Sequence, residues 1–187
     1  MLLYVLPVEI IAARELEWME ELSIQQFDFV VQRLDPLPMP TEALDPRRHQ
    51  YDATTILRAA LETCPPDASR LLAVTEQDIC IPMLTFVFGQ AQVDGTVALL
   101  SLARLRQEYY GLQPCPDLFQ ARIRKETLHE LGHTFGLFHC HDAGCAMALS
   151  INIAGIDAKQ DNLCGDCTAQ LDHRIAELRR ESGVTKE

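Results

Sequence analysis

The first third of the chain alternates between short apolar runs and longer amphipathic stretches. Residues 2–8 form an apolar run of strand length, and residues 28–34 predict a second short strand. Between them, residues 9–27 combine an acidic face with scattered apolar positions, which is typical of a surface helix. Asp52 is suited to cap a helix over residues 53–64. The pattern therefore predicts the order strand, helix, strand, helix.

The middle of the chain is richer in strands. Residues 70–74, 83–92 and 95–105 have the apolar and β-branched character of strands, and Val93–Gly95 is a hairpin signal between the last two. Strands that alternate with helices and then form a hairpin indicate an α/β (α+β) fold. We expect a mixed twisted sheet with helices packed on it.

A longer helix is predicted next, with Asp117 as its N-cap and Gln120 as the capping-box partner. Its apolar residues lie on one half of the helical wheel, as expected for a core-facing stripe: Phe119, Ile123, Leu128, Leu131 and Phe135. At about 100° per residue, His129 and His133 fall on the opposite side. We therefore expect both histidines to face a cleft and not the main core.

The stretch HELGHTFGLFHC contains half of the six histidines of the chain. His129 and His133 are one helical turn apart, so both imidazoles can reach one ion. Gly136 can take the left-handed conformation that turns the chain back, which brings His139 to the same ion. Three nitrogen ligands with an open fourth position are typical of catalytic zinc. Glu130 is then placed to act as the general base that activates the zinc-bound water.

Four cysteines follow the last histidine in two close pairs, Cys140 with Cys145 and Cys164 with Cys167. Two such pairs about twenty residues apart favour a four-cysteine zinc site over disulfides in a reducing compartment. A site in which His141 replaces one of the four cysteine ligands is a less favoured alternative. Neighbouring side chains in an extended segment point apart, so Cys140 is expected to serve a different metal from the histidine that precedes it.

This combination of motifs resembles the archaemetzincins, a family within the metzincin clan of zinc peptidases. The family pattern of three histidines, Cys-x₄-Cys-x-Met, a spacer and Cys-x-x-Cys matches residues 129–147 position by position, and Cys164 and Cys167 supply the last pair. The spacer from Met147 to Cys164 is one residue shorter than in the family pattern.

The resemblance implies zinc-dependent peptidase activity and two Zn²⁺ ions per chain, one held by the histidines and one by the four cysteines. It also implies a Met-turn at Met147 and the absence of a propeptide. The expected architecture is a compact metzincin-like fold in which a small C-terminal lobe carries the cysteine site and a C-terminal helix. We interpret residues 1–187 as one metallopeptidase domain, with residues 1–136 as the sheet and helix part and residues 137–187 as the C-terminal part.

Charge and composition narrow the range of partners. The net charge of −11 argues against nucleic acids and anionic membranes, which are bound through clustered Lys and Arg. No apolar run approaches the roughly 20 residues of a membrane span, and the N-terminal residues do not have the pattern of a signal peptide. We expect a cytoplasmic protein that acts on peptides or small proteins, and the sequence favours a monomer.

The leading hypothesis is a zinc peptidase whose extended substrate adds to an edge strand near residues 84–91. Two alternatives stay open. A metal-dependent ribonuclease could use three histidines at the same spacing, although Glu130 and the acidic charge do not favour it. A non-catalytic zinc module is the other. Endopeptidase and aminopeptidase activity are both compatible with the sequence.

Overall fold

The computed structural model describes residues 1–181 of the chain. Its strands are β1 (Leu2–Val8), β2 (Val30–Arg33), β3 (Leu44–Asp45), β4 (Gln50–Asp52), β5 (Arg70–Thr75), β6 (Ile79–Cys80), β7 (Gly89–Ala91) and β8 (Val97–Ser101). Its helices are α1 (Ala13–Phe27), α2 (Ala53–Glu62), α3 (Pro116–Thr134), α4 (Ile153–Ala158) and α5 (Gly165–Glu181).

The main sheet has the order β2-β1-β5-β8-β7. The first four strands are parallel, and β7 pairs antiparallel with β8 at one edge. Along β1, Leu3 and Val5 join one hydrophobic cluster, whereas Tyr4 and Leu6 join a second cluster on the other face. Because both faces are covered, the central strands are almost continuously apolar in sequence. The predicted α/β fold with a mixed sheet is confirmed.

Helices cover both faces of this sheet. Helices α1 and α3 pack on the face of Leu3, where Trp18 meets Phe119 edge to face at 6.2 Å between ring centroids. Helix α2 packs on the opposite face through Ile56 and Ala60. The predicted apolar stripe of α3 is buried in the first cluster: Phe119, Ile123, Leu128, Leu131 and Phe135. Helix α3 is therefore held along its length, which fixes the position of the polar residues on its other side.

Two helix starts were predicted from capping signals, and one prediction was wrong. Asp52 caps α2 as expected, since its carboxylate accepts a hydrogen bond from the backbone N–H of Thr55 at 2.7 Å. Helix α3, however, begins at Pro116 after Cys115, and Cys115 makes no side-chain capping bond. Proline suits the first helical position because its φ is already helical and its missing N–H would have no partner there. Asp117 lies inside the first turn, where its charge still favours the helix dipole.

The segment before β7 also differs from its prediction. Only Gly89–Ala91 of the predicted strand 83–92 is paired with the main sheet. The preceding residues form a loop whose carbonyl groups bond to side chains: the guanidinium of Arg48 donates to the carbonyl oxygens of Leu84 and Thr85, the latter at 2.7 Å. A second, small sheet of β3, β4 and β6, which the sequence did not reveal, supports this loop. The predicted hairpin between β7 and β8 is confirmed.

The chain beyond α3 packs against the polar side of that helix. Arg122 of α3 forms a bidentate ion pair with Asp157 of α4, with both N···O distances at 2.7 Å. Lys125 donates to the carbonyl oxygens of Ile156 and Asp157 at the end of α4. Within residues 1–181, no helix is both long enough and apolar enough to cross a membrane.

Candidate metal centres and active site

The three histidines of the sequence motif converge at the end of α3. The Nε2 atoms of His129 and His133 lie 3.2 Å apart. The ring of His139 comes back to them, with centroid distances of 5.3 Å to His129 and 5.0 Å to His133. One nitrogen from each ring lies within 4.8 Å of the other two, which is close enough for all three to bind a single ion.

The turn that returns His139 is built on Gly136. This residue has a φ of +84°, a conformation that favours glycine. The N–H of Gly136 donates to the carbonyl of His133, and the N–H of Leu137 donates to the carbonyl of Gly132. These two bonds form a Schellman motif, which ends α3 and reverses the chain within three residues.

Hydrogen bonds on the far side of the rings fix which nitrogen faces the shared space. The Nδ1 of His129 lies 2.9 Å from the carbonyl oxygen of Ala146, and the Nδ1 of His133 lies 2.7 Å from that of Leu137. A carbonyl oxygen only accepts, so Nδ1 carries the proton and Nε2 carries the lone pair. Two lone pairs 3.2 Å apart repel each other unless a cation lies between them, so this donor set fits a metal ion.

Burial keeps these imidazoles neutral. It lowers the pKa of His129 well below its usual range, and the nearby positive charge of Lys159 lowers it further. Burial also lowers the pKa values of His133 and His139. Neutral imidazole is the form that binds metals, so the site is ready for an ion at neutral pH without first losing protons.

Glu130 lies beside the histidines, between α3 and the edge strand β7. It is buried, and this burial, together with the charge of Glu126, raises the pKa of Glu130 well above its usual value. Gly89 of β7 packs directly on it: a Cβ atom at Gly89 would lie 2.5 Å from the Oε1 atom of Glu130. Glycine inside a strand is the sequence signal for such a close approach, and Gly89 was not among the predicted site residues.

Met147 lies against the same helix from below. Its side chain is completely buried, and a Cβ atom at Gly132 would lie 2.5 Å from its sulfur. Gly132, which directly precedes His133, therefore lets Met147 approach α3 closely. The neighbouring Ala146 supplies the carbonyl that orients His129.

The four cysteines form a second group. One sulfur from each of Cys140, Cys145, Cys164 and Cys167 lies within 4.8 Å of the others. All four are free thiols, and the sulfurs of Cys140 and Cys164 are 3.7 Å apart, far beyond a disulfide bond. Four sulfurs at these distances fit a tetrahedral zinc site with no open position. The exposed His141 is not part of this group.

Comparison with known proteins identifies the family of this chain. The profile of peptidase family M54 matches residues 67–173. The archaemetzincin of Methanocaldococcus jannaschii is 40% identical over 141 residues, which are 75% of this chain and 76% of that protein. This chain belongs to peptidase family M54, the archaemetzincins. By that membership it is a zinc metallopeptidase.

Solved archaemetzincin structures share the fold. The crystal structure of the Methanopyrus kandleri archaemetzincin superposes with a TM-score of 0.84 at 33% identity, covering 94% of this chain and 96% of that one. The Archaeoglobus fulgidus archaemetzincin, solved with malonate, has a TM-score of 0.79 at 30% identity, covering 91% of this chain and 99% of that one. The expected metzincin-like architecture is therefore confirmed.

A buried ion pair lies behind the histidines of this M54 chain. The Nζ atom of Lys159 is 2.9 Å from Glu126 of α3 and 3.2 Å from the carbonyl oxygen of Ala146, which also accepts from His129. Both charged side chains are almost fully buried. Lys159 thus links α3 to the segment that carries Met147. Lys159 and Glu126 are 33 positions apart in the chain, so no local sequence pattern could reveal their pairing.

A cleft of about 480 Å³ opens in front of Glu130 and the histidines. One wall is the segment that leads into β7, and the other walls come from the residues around His139 and after Met147. Most of its lining is apolar and includes Leu84, Phe86, Phe88, Phe138, Leu149 and Ile151. The volume lies within the range of sites that bind small molecules or short peptide segments.

Proposed function

We propose that His129, His133 and His139 hold the catalytic zinc of this peptidase and that Glu130 is its general base. The observation that carries the proposal is the convergence of three neutral imidazole nitrogens beside one buried carboxylate, at the floor of an open cleft. When bound there, zinc polarises the scissile carbonyl and lowers the pKa of a water molecule.

Glu130 performs the proton transfers in this proposal. Its carboxylate takes a proton from the attacking water as the water oxygen bonds to the carbonyl carbon. The same proton then goes to the amide nitrogen as the C–N bond breaks, which releases a neutral amine. Burial raises the pKa of Glu130 and so makes it a stronger base than an exposed glutamate.

We propose that the substrate binds in extended form along β7. Hydrogen bonds to β8 are made by the carbonyl of Phe88 and the N–H of Gln92. In an antiparallel pair, alternate residues direct their backbone groups to opposite sides, so Gly89 and Ala91 direct theirs to the outer edge. An extended peptide can add there as a further strand, with its backbone close to Glu130.

We propose a second, structural zinc in the group of Cys140, Cys145, Cys164 and Cys167, which gives two zinc ions per chain. This ion joins the segment after His139 to the start of α5. In this proposal residues 1–136 and 137–187 are two parts of one domain, and Met147 forms the Met-turn beneath the histidines.

The partners follow from the same chemistry. We propose that the chain acts as a monomer on peptides or small proteins in the cytoplasm, where reducing conditions keep a four-thiol group available for metal. The net charge of −11 supports neither nucleic acid nor anionic membrane as a partner.

The experiment combines metal analysis with a substrate screen. Purified protein should contain close to two zinc ions, and the double variant Cys164→Ser, Cys167→Ser should contain one. A mixed peptide library and a mixed RNA pool are then incubated with zinc-loaded and with chelator-treated protein, and fragments are identified by mass spectrometry. Peptide cleavage that requires zinc supports the proposal. Zinc-dependent cleavage of RNA alone would favour a ribonuclease, and no cleavage of either would favour a non-catalytic zinc module.

A further inference from the structure

The cleft in front of Glu130 has an apolar mouth that the catalytic chemistry does not require. Leu84 on one side and Ile151 on the other line it, yet their exposed fractions are 52% and 77%. Exposed apolar side chains are common singly, but here they cluster with Phe138 and Leu149 around one opening. A clustered apolar surface at the rim of a pocket marks a binding site.

We propose that this mouth binds a bulky apolar side chain of the leucine or phenylalanine class beside the scissile bond, so that the enzyme is selective for peptides that carry an apolar residue at this position. This inference rests on the proposed peptidase function. It names the substrate class of the same site.

The charges in the cleft support this choice of occupant. Among the described residues that line the cleft, Glu126 and Glu130 are acidic, and none is Lys or Arg. Glu126 is already paired with the buried Lys159. An acidic side chain bound at this mouth would therefore find no Lys or Arg among the lining residues to pair with it. A basic side chain would lose its hydration and find Glu126 already engaged.

The wall that carries Leu84 is held in place before any substrate arrives. Arg48 and Gln50 both donate to the carbonyl of Thr85, at 2.7 and 2.9 Å. Arg104 stacks on Phe86 with its guanidinium carbon 3.9 Å from the ring centroid, and it is held by a bidentate ion pair with Asp78. Because the wall is fixed from behind, a matching side chain binds without first ordering the loop.

The chain offers a matched control in the neighbouring residue. Met83 is 88% exposed and precedes Leu84 in the same loop, but it does not line the cleft. If the mouth recognises apolar side chains, then Leu84→Ser and Ile151→Ser should weaken recognition, while Met83→Ser should not. All three side chains are exposed, so their replacement leaves the core intact.

The test measures binding and cleavage separately. Labelled octapeptides of Gly and Ser, each made with free and with blocked ends, carry one variable residue: Leu, Phe, Ala, Lys or Glu. Their dissociation constants are measured by fluorescence anisotropy with zinc-loaded Glu130→Gln protein, which holds peptides without cutting them. Each of the three serine substitutions is then made in the Glu130→Gln protein. Cleavage sites with the Glu130 enzyme are mapped by mass spectrometry.

We expect the Leu and Phe peptides to bind at least about 10-fold more tightly than the Ala peptide, and the Glu peptide to bind most weakly. Leu84→Ser and Ile151→Ser should each reduce the preference for Leu over Ala by at least about threefold. Equal binding of all five peptides, or an equal effect of Met83→Ser, would overturn the inference. If the apolar preference is seen in binding but zinc-loaded enzyme cuts no peptide, the proposed hydrolysis fails while the recognition stands.

Discussion

Replacing Gly89 by alanine should impair catalysis without removing the metal. The added Cβ would lie 2.5 Å from the carboxylate of Glu130 and 2.6 Å from the carbonyl oxygen of Leu99, whereas ordinary contacts begin at 3.4 Å. Relief of this overlap requires a shift of about 1 Å. Because Leu99 contributes backbone in β8, the mobile group is the side chain of Glu130 or the edge strand itself.

The size of the effect follows from this displacement. A catalytic group misplaced by about 1 Å costs on the order of 100-fold in rate, so kcat/KM should fall about 100-fold. Overpacking of this kind costs about 1–3 kcal/mol of folding free energy, which lowers Tm by about 2–12 °C in a chain of this length. The nearest atoms that the added Cβ overlaps belong to Glu130 and Leu99 and not to a histidine, so the zinc content should stay at the wild-type value.

The assay compares kcat/KM, Tm and zinc content of Gly89→Ala with those of a control variant in the same hairpin. Gly95→Ala is suited to this, because the nearest atoms that its Cβ would meet all belong to Gln92 and not to Glu130. The control should lose stability and keep its activity at temperatures below its Tm. Full activity of Gly89→Ala at normal zinc content would refute the reasoning, since Glu130 would then tolerate displacement. Equal losses of activity in both variants would point to the hairpin and not to the carboxylate.

Three further predictions concern groups around the histidines. Gly132→Ala should push Met147 away from α3 and disturb the orientation of His129, which is held by the neighbouring carbonyl of Ala146. Zinc affinity at the histidine site, measured by chelator competition, should fall by about 10- to 100-fold, and an unchanged affinity would contradict this. Lys159→Met should cost about 3–5 kcal/mol of unfolding free energy in urea, because Glu126 stays buried without its partner, and addition of Glu126→Gln should restore most of the loss. In metal-free protein, Glu130→Gln should leave Tm almost unchanged at or below pH 4.5, the ordinary pKa of glutamate. The gain in Tm should then grow as the pH rises from 4.5 through the elevated folded pKa of Glu130, because ionisation of this carboxylate opposes folding. A difference in Tm that is independent of pH would contradict the buried charge.

Sequence periodicity predicted those elements in which local pattern and tertiary environment agree. The run Leu2–Val8 is a strand because both of its faces are covered, and apolar residues at every position are what that environment selects. Asp52 caps α2 through a contact three residues away, which local sequence can encode. The histidine and cysteine spacings were informative for the same reason, since the histidines lie within one short motif and the cysteines form two close pairs along the sequence.

Distant contacts account for what the sequence did not reveal. The predicted strand 83–92 is mostly a loop because Arg48, more than 30 residues earlier, supplies donors for its carbonyl groups. Lys159 pairs with Glu126 across a similar distance in the chain. The start of α3 was different, because Pro116 offered a local signal for the first helical position and the prediction gave more weight to Asp117.

The central claim is that Glu130 transfers the proton in zinc-dependent peptide hydrolysis. The most direct test is the kcat/KM for one Leu-containing peptide with wild-type and Glu130→Gln protein, each loaded to the same zinc content. The amide keeps the shape of the side chain and cannot accept a proton at neutral pH. Since proton removal and leaving-group protonation are lost together, kcat/KM should fall by at least about 1,000-fold while Tm and zinc content are maintained. A variant that keeps more than about a tenth of the wild-type rate would contradict the assignment of Glu130 as the base.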